Sequence, residues 1–410
     1  MYPIPGRVRA RRAPVRDRRA PCRVAAPLYA YRFLDDFVLL YPVYALLFSD
    51  TGLSVWEISS LFAVWSGASM LMEVPAGVWA DAVSRRLPLV AGPLLTAVAF
   101  TLWVSAPSYW VFAFGFLLWG IKGALGSGAL EALVYEELDR AGVPDRYAAV
   151  MGRGTAAGMV GVVLAMAVAG PVMAAGGYPA VGAASVAACV LSAAVAAVLP
   201  EHRGARRAAG DAPEPGWTAT LRAGLAQARR SRPVRSGVVL VALVTGVWGA
   251  LDEYVPLLVR DTGVPGAGVP LLLLLVWSCA TAGGLLAGYG ERLRTAGFAA
   301  LLVVAAVALA AGALIGRPPG VVLVAASFAA FQLASVVADA RLQHSITGPA
   351  RATVTSLAGM STDVATLAVY GGYGVLAGLI GHGGAFAVLA LPYAAVAVWL
   401  LRSAARAGSG

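Results

Sequence analysis

The sequence predicts an all-α membrane protein with twelve transmembrane helices arranged as two six-helix bundles. Three observations carry that expectation. Of the 410 residues, 59% are hydrophobic and only 13% charged, whereas water-soluble domains carry roughly 25% charged residues to cover their surface. The apolar residues fall into runs near the ~20 residues that cross a ~30 Å hydrocarbon core. The arginines, finally, crowd every second loop between those runs.

In chain order the runs lie near 27–48, 55–80, 88–105, 108–133, 153–174 and 179–199, then 236–258, 269–289, 296–315, 320–341, 354–380 and 384–402. A polar break separates the sixth run from the seventh. Residues 1–26 are dense in Arg and Pro and read as a disordered cytoplasmic tail; no apolar core and cleavage site of a secretion signal follow in order. The expected organisation is therefore that tail, a bundle over 27–200, a linker over 201–235, a second bundle over 236–402 and a short tail over 403–410. Residues 217–231 of the linker can be read as a basic amphipathic helix on the anionic leaflet or as a solvated connector.

The net charge of +10 would suggest nucleic acid in a soluble chain. Its distribution excludes that reading. Arg85 and Arg86 follow span two, Arg140 and Arg146 span four, Arg203 to Arg235 span six, and Arg292 and Arg294 span eight. Arg341 and Arg351 follow span ten, and Arg402 and Arg406 span twelve, while the opposite side carries only Arg260 and Arg317. Positive charge on the cytoplasmic side, with an even number of spans, places both termini in the cytoplasm. The Ala, Gly, Val and Arg bias points to a bacterial chain, and hence to the inner membrane, with the lipid bilayer as partner and a monomer as the expected state.

Ionisable residues inside the spans are costly and therefore informative. Lys122 is the one lysine of the chain and lies midway through span four. A lone ammonium there needs a partner, and span one offers Asp35 and Asp36 at comparable depth. Neighbouring helix positions differ in direction by about 100°, so one of the two carboxylates is expected to face the pore and pair with Lys122. A lysine snorkelling toward the interface is the alternative. Glu73, Asp252, Glu253 and Asp363 are further intramembrane carboxylates. A carboxylate withdrawn from water can hold a proton near neutral pH, as proton coupling requires; Asp35, Asp36 and Glu73 are the candidates for that role. Phe37, Tyr41, Trp119, Trp248, Asp252, Glu253 and Tyr254 are expected to line a central cavity suited to an amphipathic organic molecule.

The segment Gly77-Val78-Trp79-Ala80-Asp81-Ala82-Val83-Ser84-Arg85-Arg86 resembles the loop 2–3 signature of the major facilitator superfamily, departing from it at Ala82 and Ser84. Its lead-in, Glu73-Val74-Pro75-Ala76-Gly77, is similar to that of a drug and metabolite exporter branch. Gly77 allows close helix approach, and Asp81 can accept from Arg85 or Arg86 and meet the positive end of a neighbouring helix. The resemblance implies that this neighbour is span eleven, after Arg351, and that Gly77, Asp81, Arg85 and Arg86 form a conformational latch between the halves. Leu118-Trp119-Gly120-Ile121-Lys122-Gly123-Ala124-Leu125-Gly126 resembles the family's span-four motif, with Lys122 and Leu125 in place of its Arg and Gln. Gly154, Gly158, Gly161 and Gly170-Pro171 partly resemble an antiporter signature, and equally suit plain helix packing. Gly77 to Arg85 and Gly284 to Arg292 share a spacing of eight, a short echo between the halves.

No enzyme chemistry is visible. Lys122 precedes Gly123, so no phosphate-cradling Gly-Lys-Ser/Thr exists, and His202, His344, His382, Cys22, Cys189 and Cys279 show no metal-ligand spacing. No cofactor and no metal are expected. The major facilitator resemblance implies a secondary transporter working by alternating access, with a small-molecule substrate and protons as partners. Efflux by proton antiport, in the manner of antibiotic-resistance transporters, is the expectation. The alternatives are a proton-coupled nutrient importer, which calls for Asn and Gln in the spans, and a membrane-embedded enzyme, which calls for a catalytic cluster at one interface.

Overall fold

In the computed structural model the described residues are 20–82, 84–126, 128–202, 231–346 and 351–408. They form helices and no strand. The first half comprises α1 (Ala20–Asp36), α2 (Tyr44–Asp50), α3 (Val55–Ala82), α4 (Arg86–Ser105), α5 (Tyr109–Gly126), α6 (Ala129–Arg140) and α7 (Tyr147–Ala197). The second comprises α8 (Arg232–Asp252), α9 (Val255–Asp261), α10 (Val269–Leu285), α11 (Ala287–Gly290), α12 (Thr295–Leu314), α13 (Gly320–Ser345), α14 (Arg351–Leu389) and α15 (Leu391–Gly408). Helix α1 begins within the stretch read as a tail, and α15 extends into the C-terminal one. Most of the linker, 203–230, lies outside the described residues.

Nine helical segments among the described residues are long and apolar enough to cross a bilayer. Two of them are double. Helix α7 has 51 residues, about 75 Å if straight, far beyond one crossing. It turns back at Gly177, whose φ of 62° is a conformation that glycine adopts without a Cβ clash. Met166 and Cys189, eleven and twelve residues to either side, consequently line the same cavity. Helix α14 reverses likewise at Gly381 (φ 72°), bringing the rings of Tyr373 and Phe386 to 5.8 Å. The α1–α2 segment escapes the count because it is broken at 37–43 and carries Arg32, Asp35 and Asp36. The architecture is consistent with the twelve crossings expected.

Local signals fix several ends. Ser54 and Glu57 form a reciprocal cap on α3: the Ser54 amide donates to Glu57 Oε2 at 2.8 Å and the Glu57 amide to Ser54 Oγ at 3.3 Å. Pro42 disfavours helix at Tyr41 before it, and the break left there turns the chain from α1 into α2. The buried Ser185 hydroxyl accepts the Leu40 amide at 2.9 Å, so that donor is not stranded in hydrocarbon.

Within each half the helices pack through small residues. Helix α1 lies on α7 along Gly154, Gly158 and Gly161: a Cβ at Gly154 would touch Leu28, one at Gly158 the Asp36 carboxylate, and one at Gly161 the Phe33 carbonyl. Gly283 of α10 meets the Ala329 carbonyl of α13 in the same fashion. The glycine stripe of span five therefore has a packing role against α1. Between the halves, α3 runs along α14 and α7 along α10.

Gly161→Ala is expected to lower the melting temperature of the purified protein. Overpacking costs about 1–3 kcal/mol, against about 1 kcal/mol of helix propensity gained. Val160→Ala, at an exposed neighbouring position, is the control and should leave the melting curve nearly unchanged.

Candidate functional site

The break after α1 creates the site. Helix α1 stops at Asp36, so the chain leaves its axis there, and both Asp35 and Asp36 line one cavity of about 310 Å³. The expectation that only one would face inward assumed a continuous helix; the helix end removes that constraint. The other walls are Val38, Tyr41, Pro42, Thr96, Trp119, Lys122, Val162, Ala165, Met166, Cys189 and Trp277. They come from the break itself, α4, α5, both arms of α7 and α10.

Lys122 Nζ donates to Asp35 Oδ2 at 2.9 Å. Of the two carboxylates open to it by sequence, Asp35 is the partner. The lysine stem passes over Gly92 of α4, where an added Cβ would stand 3.0 Å from Lys122 Cγ. Ammonium and carboxylate are 21% and 14% exposed, and what they see is the cavity. Asp36 takes a different course. Its carboxylate lies in the notch of Gly158 on α7, and it has no hydrogen-bond or ion-pair partner among the described residues.

Tyr41 stands between the bundles, its ring near-perpendicular to Trp119 of α5 at 6.2 Å and to Trp277 of α10 at 6.0 Å. Trp277 also lies beside Asp252. A second cavity of about 340 Å³ adjoins the first at Trp119 and Lys122 and is lined by Trp65, Ser66, Ser69, Met70, Glu73, Gly123 and Asp363. Glu73 and Asp363, on α3 and α14, face each other across the halves closely enough to repel. Both are exposed, toward the arginine-rich ends of their helices.

Contacts that join the halves gather at the opposite, arginine-poor side. The Tyr44 hydroxyl donates to Glu253, which is 8% exposed. The Tyr254 hydroxyl donates to Ser59 Oγ at 2.8 Å, and its ring stacks on Tyr373 at 3.6 Å. Arg260 binds Asp50 at 2.6 Å and also Ser49. On the arginine-rich side the ion pairs described stay within the first half: Arg85 with Glu136 at 2.6 Å, Arg86 with Glu201 at 4.0 Å and Arg32 with Glu131 at 3.5 Å. The Arg85 amide is also received by Glu201 at 2.8 Å. Arg85 and Arg86 thus brace the α3–α4 turn against α6 and the end of α7. The side chains of Gly77, Asp81 and Arg351 lie outside the described residues, so the latch is seen only at its arginines.

Of the residues expected around the substrate, Tyr41 and Trp119 line the cavity, and Asp252 stands behind it, beside Trp277. Glu253 and Tyr254 belong instead to the closed contact between the halves. Trp248 hydrogen-bonds Ser335 at 2.9 Å and meets Phe328 edge-on, inside the second bundle. Phe37 stacks on Phe33 at 5.5 Å, away from the lining. Trp277, Tyr44, Ser59, Asp50 and Arg260 escaped the sequence reading. Trp277 had one signal, a lone indole in a run of leucines; the others are ordinary until the two halves meet.

A bundle of helices long and apolar enough to cross a bilayer, with an ion pair at a cavity between its halves, defines a multi-pass membrane protein. The family model described as Major Facilitator Superfamily matches residues 26–369, and the chain belongs to that superfamily. No curated protein sequence matches it. Among solved structures, a mutant form of the nucleoside transporter NupG superposes with a TM-score of 0.76 at 14% identity, covering 92% of this chain and 99% of that one. A bacterial homolog of the human lysosomal transporter Spinster, inward-facing and unoccupied, gives 0.70 at 17% identity over 95% and 96%. A D-xylose-proton symporter gives 0.66 at 15% over 93% and 96%. At these identities the likeness is one of fold. The protein is a transporter and not an enzyme.

Removing one member of the Lys122–Asp35 pair strands the other. Lys122→Met or Asp35→Leu is expected to cost about 1–3 kcal/mol, and the double variant less than the sum, by thermal unfolding in detergent. A Cβ built on Gly374 stands 3.2 Å from Ser59 Cβ, near the 3.5–4.5 Å typical of disulfides. In a background with Cys22, Cys189 and Cys279 replaced by Ser, Ser59→Cys with Gly374→Cys should cross-link α3 to α14 on oxidation. Transport should cease and return on reduction, read as solute flux in proteoliposomes.

Proposed function

We propose that the protein is a proton-coupled exporter of a small amphipathic organic molecule, working by alternating access between its two bundles. The observation that supports this best is the Lys122–Asp35 pair inside a cavity whose other walls are largely aromatic and aliphatic. A half-buried ion pair beside Asp36 offers the proton-accepting groups that coupling needs. Glu73, on the path toward the arginine-rich side, is a second carrier.

The arginine-rich side is taken as cytoplasmic, with both termini there, in a bacterial inner membrane. The conformation is then closed outside and open inside. Switching outward breaks Tyr44–Glu253, Tyr254–Ser59 and Arg260–Asp50, and the Gly77–Asp81–Arg85–Arg86 segment would gain contacts to α14 in exchange. An exporter loads substrate in the state described here. The protein acts as a monomer on this reading, since the cavity is completed within one chain.

Proton-coupled import is the second reading, favoured by the fold shared with a structure titled D-xylose-proton symporter. Sugars are held by polar side chains, and amides serve that purpose well. The chain contains no asparagine, and neither cavity is lined by glutamine. The walls fit an amphipathic solute better.

The direction of coupling is tested in proteoliposomes loaded at acid pH and diluted into neutral buffer, with protein-free vesicles as the control for passive partition. An antiporter accumulates radiolabelled solute inside as protons leave; a symporter does so only with the acid outside. Across a panel of amphipathic amines, sugars and nucleosides, accumulation with the acid inside is expected, and Lys122→Ala and Asp36→Asn should each abolish it while leaving insertion intact. Accumulation only with acid outside overturns export.

A further inference from the structure

We propose that the central cavity selects organic cations, compact amines or quaternary ammonium compounds with an aromatic or apolar body, and that Asp36 is the group that receives their charge. This rests on the transporter reading above and names its substrate class.

Charge comes first. The titratable carboxyl and amine groups lining the two adjoining cavities are Asp35, Asp36, Glu73, Asp363 and Lys122, with no arginine or histidine among them. The single ammonium is committed to Asp35 at 2.9 Å. Asp36 makes no hydrogen bond or ion-pair contact among the described residues, the charges of Lys122 and Arg32 reaching it only from a distance, and it sits in a wall of Val38, Val162, Ala165 and Met166. A carboxylate withdrawn from bulk water needs a counter-charge or a proton. An organic anion entering this space would meet an excess of negative groups, and a neutral solute would leave Asp36 as it was.

The backbone agrees. Asp36 is the last residue of α1, and the C-terminal end of a helix carries the negative end of its dipole. Helices that stop at mid-membrane present that end, and their freed carbonyls, to cations. The break at 37–43 sets this end against the cavity.

The walls supply the rest of the recognition. Trp119 from one half, Trp277 from the other and Tyr41 between them form an aromatic angle on the same cavity. Indole faces attract cations within about 6 Å of the ring, and they pack equally well against a flat apolar body. A volume of about 310 Å³ is at the small end of the ~300–1,000 Å³ usual for ligand sites, which favours compact amines. Because Trp119 and Trp277 belong to different halves, an occupant between them touches both moving bodies. Proton and cation would then compete for one carboxylate, and a site that cannot hold both at once exchanges one for the other.

The experiment compares three probes of similar size on purified full-length protein in lipid nanodiscs, titrated by saturation-transfer NMR against empty nanodiscs. The probes are benzyltrimethylammonium, N,N-dimethylbenzamide and phenylacetate. The cation is expected to bind at least tenfold more tightly than the neutral amide, with no saturable binding of the anion. Asp36→Asn, checked for an unchanged elution profile, should weaken the cation at least tenfold and leave the amide unaffected. Equal affinity for amide and cation, preference for the anion, or no saturable cation binding by the unaltered protein overturns the proposal without recourse to any variant. Undiminished cation binding by Asp36→Asn overturns the role of Asp36. Loss of gradient-driven transport with this selectivity intact would instead remove the exporter reading and leave the site standing.

Discussion

Hydrocarbon offers no partner to a backbone amide or a charged side chain, and the main departures from a regular apolar helix among the described residues are met from within. The chain breaks at 37–43, and Ser185 from the far arm of α7 receives the Leu40 amide. Lys122 enters the bilayer, and Asp35 meets it. Glu253 is buried, and Tyr44 from the other half donates to it. Each departure is tied to a residue distant in sequence, so the polar contacts specify how the helices come together more than they add to net stability. A buried pair is often no more stabilising than an apolar one of equal size. What it enforces is a unique arrangement.

The same economy organises the two halves. Small residues bring α1 onto α7 and α10 onto α13 closely enough to make each half a firm body. Between the halves, by contrast, the polar contacts among the described residues are hydroxyl-rich: Tyr44–Glu253, Tyr254–Ser59 and the exposed Arg260–Asp50 pair. Exposed pairs of that last kind are worth about 0–1 kcal/mol, and hydroxyl groups can exchange protein partners for water at little net cost. A rigid interior with a weakly bonded seam is the mechanical requirement for two bodies that rock about a fixed site. On the arginine-rich side, Arg85–Glu136 and Arg86–Glu201 stiffen the first half.

The cavity lies on that seam. Its aromatic residues come from both halves and its charges from α1 and α5, and the adjoining cavity adds those of α3 and α14, so an occupant would touch both halves. The glycines of span five, read by sequence as either an exporter signature or a packing surface, lie against α1, and Gly158 gives the Asp36 carboxylate its place. Their resemblance to a functional motif and their steric role have one physical content, the need for a backbone to approach a carboxylate-bearing helix closely.

Composition, run length and arginine alternation sufficed for the class, because the energetic cost of polar groups in lipid is written along the chain residue by residue. The importance of Lys122 and the carboxylates of span one was legible for the same reason: a charge in an apolar run stands out without any structure. The choice of Asp35 over Asp36 was not legible, since it depends on α1 ending where it does and on Gly92 clearing the lysine's path. Nor were Trp277, Tyr44 and Arg260, whose roles exist only where the two halves touch. Local sequence carries local costs, and it has no term for what a residue meets after more than two hundred others have folded between them. The tertiary structure alone decided which carboxylate was satisfied and which was left to the cavity.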